Sequence, residues 1–409
     1  MKILLLNTSL RKGGAAIACF RLWKALNRHG NKYGLKAELL VRNGFMGKIA
    51  FFTERLQIFT VNCFKRKNLF SVSTAKTGVN ISKTAELKGS DIVHIHWVQQ
   101  GFISLKQINS IQKTGIPIAW TLHDMWPFTG ICHYSGNCTR YTENCGNCPF
   151  LNKPSEHDLS YRITRCKKKN IDFSKIVFVA CSEWMAGKAR ESMLLRDSRI
   201  ITIPNPIDTN VFAPGNITEA RKKLGLNISG KIILFGAAKI SDKRKGIGYF
   251  PEACRILCSK HNVTPDSITV VFFGGGEPTM PDTIPFESVH LKYLSDETEL
   301  AAMYNAADVF VIPSMEDNLP NTIVESLACG TPVAGFASGG IPYMIENGRN
   351  GDLAEPGNAG ELALSIFRIL FEYNPETLRN GARKTALERY SEEVVSEQYN
   401  TLYTSLKPV

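Results

Sequence analysis

The sequence predicts an α/β protein built from two doubly wound domains, and three observations carry that expectation. At 409 residues the chain exceeds what one hydrophobic core sustains, while 44% hydrophobic residues are ample for two. Short aliphatic and β-branched runs, the pattern of strands buried on both faces, alternate with stretches of helical periodicity. The alternation runs once through the first half and restarts at Lys231.

In the first half, residues 2–7 read as a strand, Gly13-Gly14 as a tight turn, and residues 15–29 as a helix with Ile17, Phe20, Leu22 and Leu26 on its apolar side. A glycine pair at a helix N-terminus allows close backbone approach and suits an anion, although it is equally an ordinary strand-to-helix turn. Residues 49–64 form a basic aromatic helix with Phe51, Phe52, Phe59 and Phe64, followed by Lys65-Arg66-Lys67. Such a helix can lie in a membrane interface or pack on its own sheet. Residues 91–97 and 116–124 are further strands, with His96 and His123 at their carboxyl ends, where open parallel sheets place ligands. Strands at 176–182 and 200–203 complete the half.

Residues 126–151 interrupt this pattern with Cys132, Cys138, Cys145 and Cys148, spaced C-x5-C-x6-C-x2-C. Four of the chain's 11 cysteines thus fall within 17 positions. The Cys145-Gly146-Asn147-Cys148 turn has the shape of a zinc knuckle, and four thiolates make a closed structural zinc site. His133 could replace Cys132, and free buried thiols are the alternative; disulfides are disfavoured without export.

The second half opens with a strand at 231–238, the basic loop SDKRKG and a helix at 247–258. A strand and glycine turn follow at 268–276, and a strand at 290–294. Residues 308–313 are a buried-type strand ending at Ser314, Met315, Glu316, Asp317 and Asn318; residues 321–329 form a helix, Gly330 its stop, and residues 332–336 the next strand. This is one βαβ unit. Asp317 at the turn and Glu325 two helical turns on can face one ligand, though an isolated pair at this spacing is more simply a capping acid and a surface glutamate.

The text around that pair decides between them. Ser314, Asp317, Glu325, Ala328, Gly330, Pro332, Val333, Gly339, Gly340, Pro342, Asn347, Gly348 and Gly351 resemble the donor-sugar motif of glycosyltransferase family 4, whose members have the GT-B fold and retain anomeric configuration. The resemblance spans nearly the whole chain and is densest over 205–351. It implies two Rossmann-like domains facing a cleft: residues 1–204 on the acceptor side with the insert at 126–151, residues 205–390 binding the nucleotide-sugar, and a last helix within 391–409 crossing back. Asn205-Pro206-Ile207-Asp208 is similar to the family's interdomain Asn-Gly-Val-Asp, with Pro206 for Gly.

The resemblance also implies roles. Lys245, with Arg244 beside it, binds the donor diphosphate after Gly236, where Ala237 stands in place of the family's Arg. Glu325 holds the ribose, and Asp317 with Gly339 and Gly340 positions the sugar. The first acid of the motif is Asp317 where the family has Glu, unless Glu316 takes the role. His123 touches the sugar, and Gly13 and Gly14 lie near phosphate and acceptor. The cations leave no need of a catalytic metal. A colanic-acid and exopolysaccharide subset of the family carries a similar Cys-rich insert.

Charge bounds the partners. Residues 1–200 hold 31 Lys and Arg against 12 Asp and Glu, the remainder 18 against 25. The first half is therefore suited to an anionic surface or ligand, such as a membrane or a lipid-linked diphosphate. No run of 18 apolar residues occurs, and the opening apolar residues are too few for a signal sequence, which suggests a cytoplasmic protein, peripheral on the inner membrane face. The expected activity is transfer of a hexosyl group from a nucleotide-sugar to a lipid-linked glycan in surface polysaccharide synthesis. A zinc-stabilised nucleic-acid-binding protein is the other function class, but base-stacking aromatics are not interleaved with the basic residues and no nucleic acid is expected. A nucleotide-sugar epimerase of the same fold is the nearest enzymatic rival.

Overall fold

The structure is a computed structural model that describes all residues except 43, 227, 238–241, 275–282, 292, 293, 295, 408 and 409. It divides into two units, Met1–Asn205 with Val395–Val409, and Pro206–Val394. The predicted glycine turn at 275–276 and the end of the predicted strand at 238 lie outside the described residues.

In the first unit the chain runs β1 (Lys2–Asn7), α1 (Gly14–His29), β2 (Lys36–Val41), α2 (Gly44–Val61), α3 (Ala85–Lys88), β3 (Ile92–Ile95), α4 (Leu105–Gln112), β4 (Ile118–Leu122), α5 (Leu159–Asn170), β5 (Ile176–Ala180), α6 (Glu183–Glu191) and β6 (Arg199–Thr202). The six strands form one parallel sheet in the order β2-β1-β3-β4-β5-β6. The order reverses between β1 and β3, and the carboxyl ends at such a reversal are where open α/β sheets bind ligands. Strands β3, β4 and β5 are buried along their length because helices cover both faces. Sequence supplies the helix starts: Ser104 and Gln107 close a capping box on α4, and Asp158 caps α5.

Helix α2 departs from expectation. Its buried side carries Glu54 and Arg55, paired at 3.1 Å, with Glu54 accepting from the amides of Thr74 and Ala75 at 2.6 and 2.9 Å. Ala50 and Ile58 are buried on the same helix, whereas Phe45 is 75% exposed, Phe52 67% and Leu56 61%. The helix thus has both a side packed into the core of the first unit, through Ile58, and an exposed aromatic side.

The second unit runs α7 (Ile217–Lys223), β7 (Lys231–Ala237), α8 (Tyr249–His261), β8 (Ile268–Gly274), β9 (Glu287–His290), α9 (Glu297–Ala306), β10 (Val309–Ile312), α10 (Asn321–Ala328), β11 (Val333–Phe336), β12 (Gly351–Ala354), α11 (Ala359–Phe367) and α12 (Pro375–Tyr390). The sheet order is β12-β11-β10-β7-β8-β9, all parallel, so the reversal lies between β7 and β10. Edge strand β9 occupies 287–290 and begins before the predicted 290, because an edge carries no apolar run to mark it; residues 292 and 293 of the predicted strand lie outside the described residues. Helix α13 (Glu392–Leu406) follows, and Val395, Tyr399, Leu402 and Tyr403 pack in the first unit against Ile3, Leu5, Ala119 and Val179.

Candidate functional site

In the second unit three loops meet at the sheet reversal. The loop after β7 is laced to the loop after β10: the Met315 amide donates to Arg244 O at 2.7 Å. Gly246 has φ +62°, and a Cβ there would stand 1.8 Å from Pro313 O, so only glycine fits both the conformation and the contact. The loop after β11 joins them. Gly340 N donates to Asp317 O at 2.8 Å, and a Cβ on Gly339, φ +58°, would lie 2.1 Å from the same carbonyl. Ser338 Oγ donates to Ser314 O.

Across the reversal Lys245 Nζ meets Asp317 Oδ2 at 2.5 Å, both side chains mostly buried. Glu325, 6% exposed on α10, accepts a hydrogen bond from Tyr304 OH at 2.9 Å. The structure thus brings Lys245, Asp317, Gly339 and Gly340 together; Glu316, half-buried, is on the same loop as Asp317. Arg244 is next to Lys245 on the loop after β7. Its guanidinium pairs with Asp242 at 2.6 and 3.2 Å, which balances its charge within the loop. Asp242 is pushed up by burial but held below its ordinary range overall by Arg244. Gly236 lies within β7, where a Cβ would come 2.2 Å from Phe273 O, so strand packing alone demands glycine there.

In the first unit the carboxyl ends of β3, β4 and β5 carry a row of polar groups. His96 Nδ1 stands 2.9 Å from His123 Nε2, His123 Nδ1 3.8 Å from Cys181 Sγ, and Cys181 donates to Asn205 Oδ1 at 3.4 Å. Both ring nitrogens of His123 thus face protein groups. One register back, His94 bonds Tyr403 OH and Thr121 Oγ1, each at 2.7 Å. Gly13, φ +94° and with no side-chain cap at the start of α1, adopts a conformation reserved for glycine, and Gly14 begins the helix after β1. Sequence reading did not foresee the roles of Tyr304, Cys181 and Asn205. The alternation of His94 and His96 on one strand face is the signal that a histidine chain was present.

Burial lowers His94 to about 3, lowers His96 well below its ordinary value, and lowers His123 to about 4 against the pull of Asp124. Unfolded histidines titrate near 6.5. Between these values the unfolded state binds more protons, so this stability is complete above pH 6.5 and is lost as pH falls below it. Denaturant unfolding at pH 7.5 and 5 is expected to differ by on the order of 1–2 kcal/mol per histidine. His94→Gln should flatten that dependence; an unchanged slope would contradict the assignment.

The four cysteines of the insert line one small cavity with Ile131, Tyr141 and Pro149. Cys145 and Asn147 take positive φ in the knuckle turn, Gly130 N donates to Cys145 Sγ at 3.2 Å, and Cys148 N donates to Asp158 Oδ2 at 2.7 Å. Burial raises the thiols of Cys132 and Cys145 and raises Cys148 to about 12, and the neighbouring sulfurs add to each shift. As placed, no three His, Cys, Asp or Glu among the described residues stand in ligand geometry. His133 is not an alternative ligand: its Nδ1 contacts Asp124 Oδ2 at 2.6 Å and its Nε2 Ser73 Oγ at 3.1 Å, so both nitrogens are committed. Lys167, fully buried, caps this region, bonded to Thr129 O at 2.8 Å and to Trp126 O, its ammonium 3.8 Å over the Trp126 ring.

Comparison with known proteins places this geometry. The Glycosyltransferase Family 4 model matches residues 13–211 and the Glycosyl transferases group 1 model residues 230–371. A D-inositol 3-phosphate glycosyltransferase of Mycobacterium sp. (strain KMS) is 27% identical over 200 residues, covering 45% of this chain and 42% of that protein. The chain therefore spans about four-tenths of the length of such relatives. Sucrose-phosphate synthase from Thermosynechococcus elongatus superposes with a TM-score of 0.66 at 18% identity, over 99% of this chain and 98% of that one. HepE of Anabaena in complex with UDP-glucose does so with a TM-score of 0.61 at 18% identity, over 99% and 100%.

Proposed function

From a chain that belongs to glycosyltransferase family 4 and has the two-domain α/β GT-B fold, we propose an enzyme that moves a hexosyl group, with retention, from a nucleotide-sugar to a lipid-linked glycan. The observation that carries this reading is the Lys245–Asp317 pair at the β7/β10 reversal, braced by Gly246 and the Gly339-Gly340 turn. Asp317 orients the Lys245 ammonium, which neutralises charge on the departing diphosphate. Glu325, held by Tyr304, takes the ribose hydroxyls. Glycine amides at 339–340 and at 13–14 allow the backbone to approach sugar and phosphate. Arg244 contributes long-range charge, with Asp242 between it and full effect. A thermal-shift screen of UDP- and GDP-sugars tests the reading, since a ligand at 100 times its Kd stabilises by about 2.7 kcal/mol. No stabilisation by any of them would contradict it.

The lipid-linked acceptor is supported by α2, where Phe45, Phe52 and Leu56 are exposed alongside Lys48 and the Lys65-Arg66-Lys67 run. Among the described residues no helix is long and apolar enough to cross a membrane, but this face suits an anionic interface. Phe52→Ser with Leu56→Ser is expected to weaken binding to phosphatidylglycerol vesicles about a hundredfold, each side chain contributing roughly 1.5 kcal/mol. Raising salt from 0.15 to 0.5 M should weaken it further. Binding indifferent to both would contradict the membrane role.

The insert fits a structural zinc held by Cys132, Cys138, Cys145 and Cys148. Sulfur is the donor this ion prefers in a closed site, and the four thiols line one cavity. Lys167 supports the reading. Burial lowers its ammonium to about 7, and negative charge at Cys145, Cys132 and Asp124 acts against that shift, so zinc-bound thiolates would favour the charged lysine.

A further inference from the structure

We propose that His96, through Nε2, is a sugar-binding residue of the first unit: it accepts a hydrogen bond from a hydroxyl of the donor or acceptor sugar. The assignment rests on the sugar-transferase reading for the identity of the ligand and on the protein's own hydrogen-bond chain for the direction. Asn205 Oδ1 is a carbonyl oxygen, so Cys181 donates to it. With its hydrogen so used, the Cys181 sulfur accepts from His123 Nδ1–H. A neutral imidazole has one N–H and one lone pair, so His123 Nε2 is an acceptor and His96 Nδ1–H is the donor across 2.9 Å. The second nitrogen of His96 is then a lone pair. His96 is 2% exposed, and this Nε2 has no hydrogen-bond partner among the described residues. A buried acceptor left unmade costs about 1–3 kcal/mol, which a ligand hydroxyl would recover.

Position agrees with this direction. His96 follows β3 and the Gly13-Gly14 loop follows β1, the two strands that flank the reversal of this sheet. Ile92 packs with Cys19 and Leu22 of α1 on the sheet face that His94 and His96 share, so the start of α1 and the His96 acceptor belong to one side of the sheet. His123 then acts as a positioning residue, because its Nε2 fixes the tautomer of His96.

The test uses the full chain labelled with ¹⁵N-histidine. Two-bond ¹H–¹⁵N correlations are expected to show His96 and His123 both protonated at Nδ1. Adding UDP-glucose or GDP-mannose, whichever calorimetry shows to bind, should move the His96 Nε2 resonance upfield while UDP or GDP alone does not. Movement only when a glucan oligosaccharide is added with the nucleotide would assign the hydroxyl to the acceptor. His96 protonated at Nε2, or an Nε2 resonance unmoved by every sugar shown to bind, overturns the proposal. If no nucleotide-sugar binds, the transferase reading fails instead, and the tautomer of the free chain still decides the direction of the chain. Two variants separate binding from positioning. His96→Asn keeps a donor near Nδ1 and should lose about fivefold to tenfold of the affinity that the sugar adds to its nucleotide, the worth of one neutral hydrogen bond. His96→Gln keeps an acceptor near Nε2 and should lose less; the reverse order overturns the assignment.

Discussion

Lys245→Ala is expected to lower kcat by about 10²–10³-fold, equivalent to about 3–4 kcal/mol, with a smaller change in donor KM. The reason is differential: negative charge on the diphosphate grows as the glycosidic bond breaks, so an ammonium aimed at it stabilises the transition state more than the bound substrate. The geometry supports that aim, since Asp317 holds Nζ at 2.5 Å and Gly246 holds the loop against Pro313. Asp317→Asn should act in the same direction but less strongly, because the lysine stays and only its orientation loosens. Glu325→Ala should behave differently and raise donor KM, because a ribose contact is made in ground and transition states alike. Steady-state kinetics on the three variants distinguish these outcomes. Wild-type kcat in Lys245→Ala at saturating acceptor would remove Lys245 from the mechanism.

Replacing Cys145 and Cys148 together with serine is expected to abolish one bound zinc per chain and lower the melting temperature by roughly 10 °C, from a loss of about 3–5 kcal/mol. A chelator should produce the same drop in the wild type, which separates metal loss from the cost of serine in a buried site. Activity should fall as well, since Asp124 receives Trp126 N, Trp97 Nε1 and the His133 ring, and so ties the insert to the loop that follows His123. Nucleotide binding by the second unit should survive. Elemental analysis of protein purified without chelator or metal-affinity resin checks the stoichiometry. Absence of metal, with four alkylatable thiols in the native chain, would contradict the site.

Much of this was legible because the informative strands are central ones. Residues 309–312 and 333–336 are buried along their whole length, and a strand buried on both faces writes an unbroken apolar run into the sequence. Edge strands leave weaker marks. β2, with residues such as Lys36 and Glu38, and β12 went unforeseen, and β9 was placed several residues late. Helix α2 shows a second limit: apolar residues are read as inward by default, yet here Glu54 and Arg55 fill the interior because the amides of Thr74 and Ala75 need an acceptor. The donor-side loops were legible from glycines and acids at fixed spacing. Pairing was not, and the partners Asp242 for Arg244, Asp317 for Lys245 and Tyr304 for Glu325 come only from the fold. Likewise the histidine row unites residues 27 and more positions apart, a proximity that only the parallel register of β3, β4 and β5 creates.

The central claim, that the chain transfers a sugar and does not merely bind or epimerise a nucleotide-sugar, is tested most directly by following label and nucleotide together. The chain is incubated with a radiolabelled nucleotide-sugar that stabilises it and with an extracted lipid-linked oligosaccharide fraction. Transfer predicts that label enters the lipid fraction in step with release of nucleoside diphosphate, and that both stop in Lys245→Ala. Nucleotide released with an altered free sugar and no dependence on the lipid fraction would identify an epimerase and contradict the account.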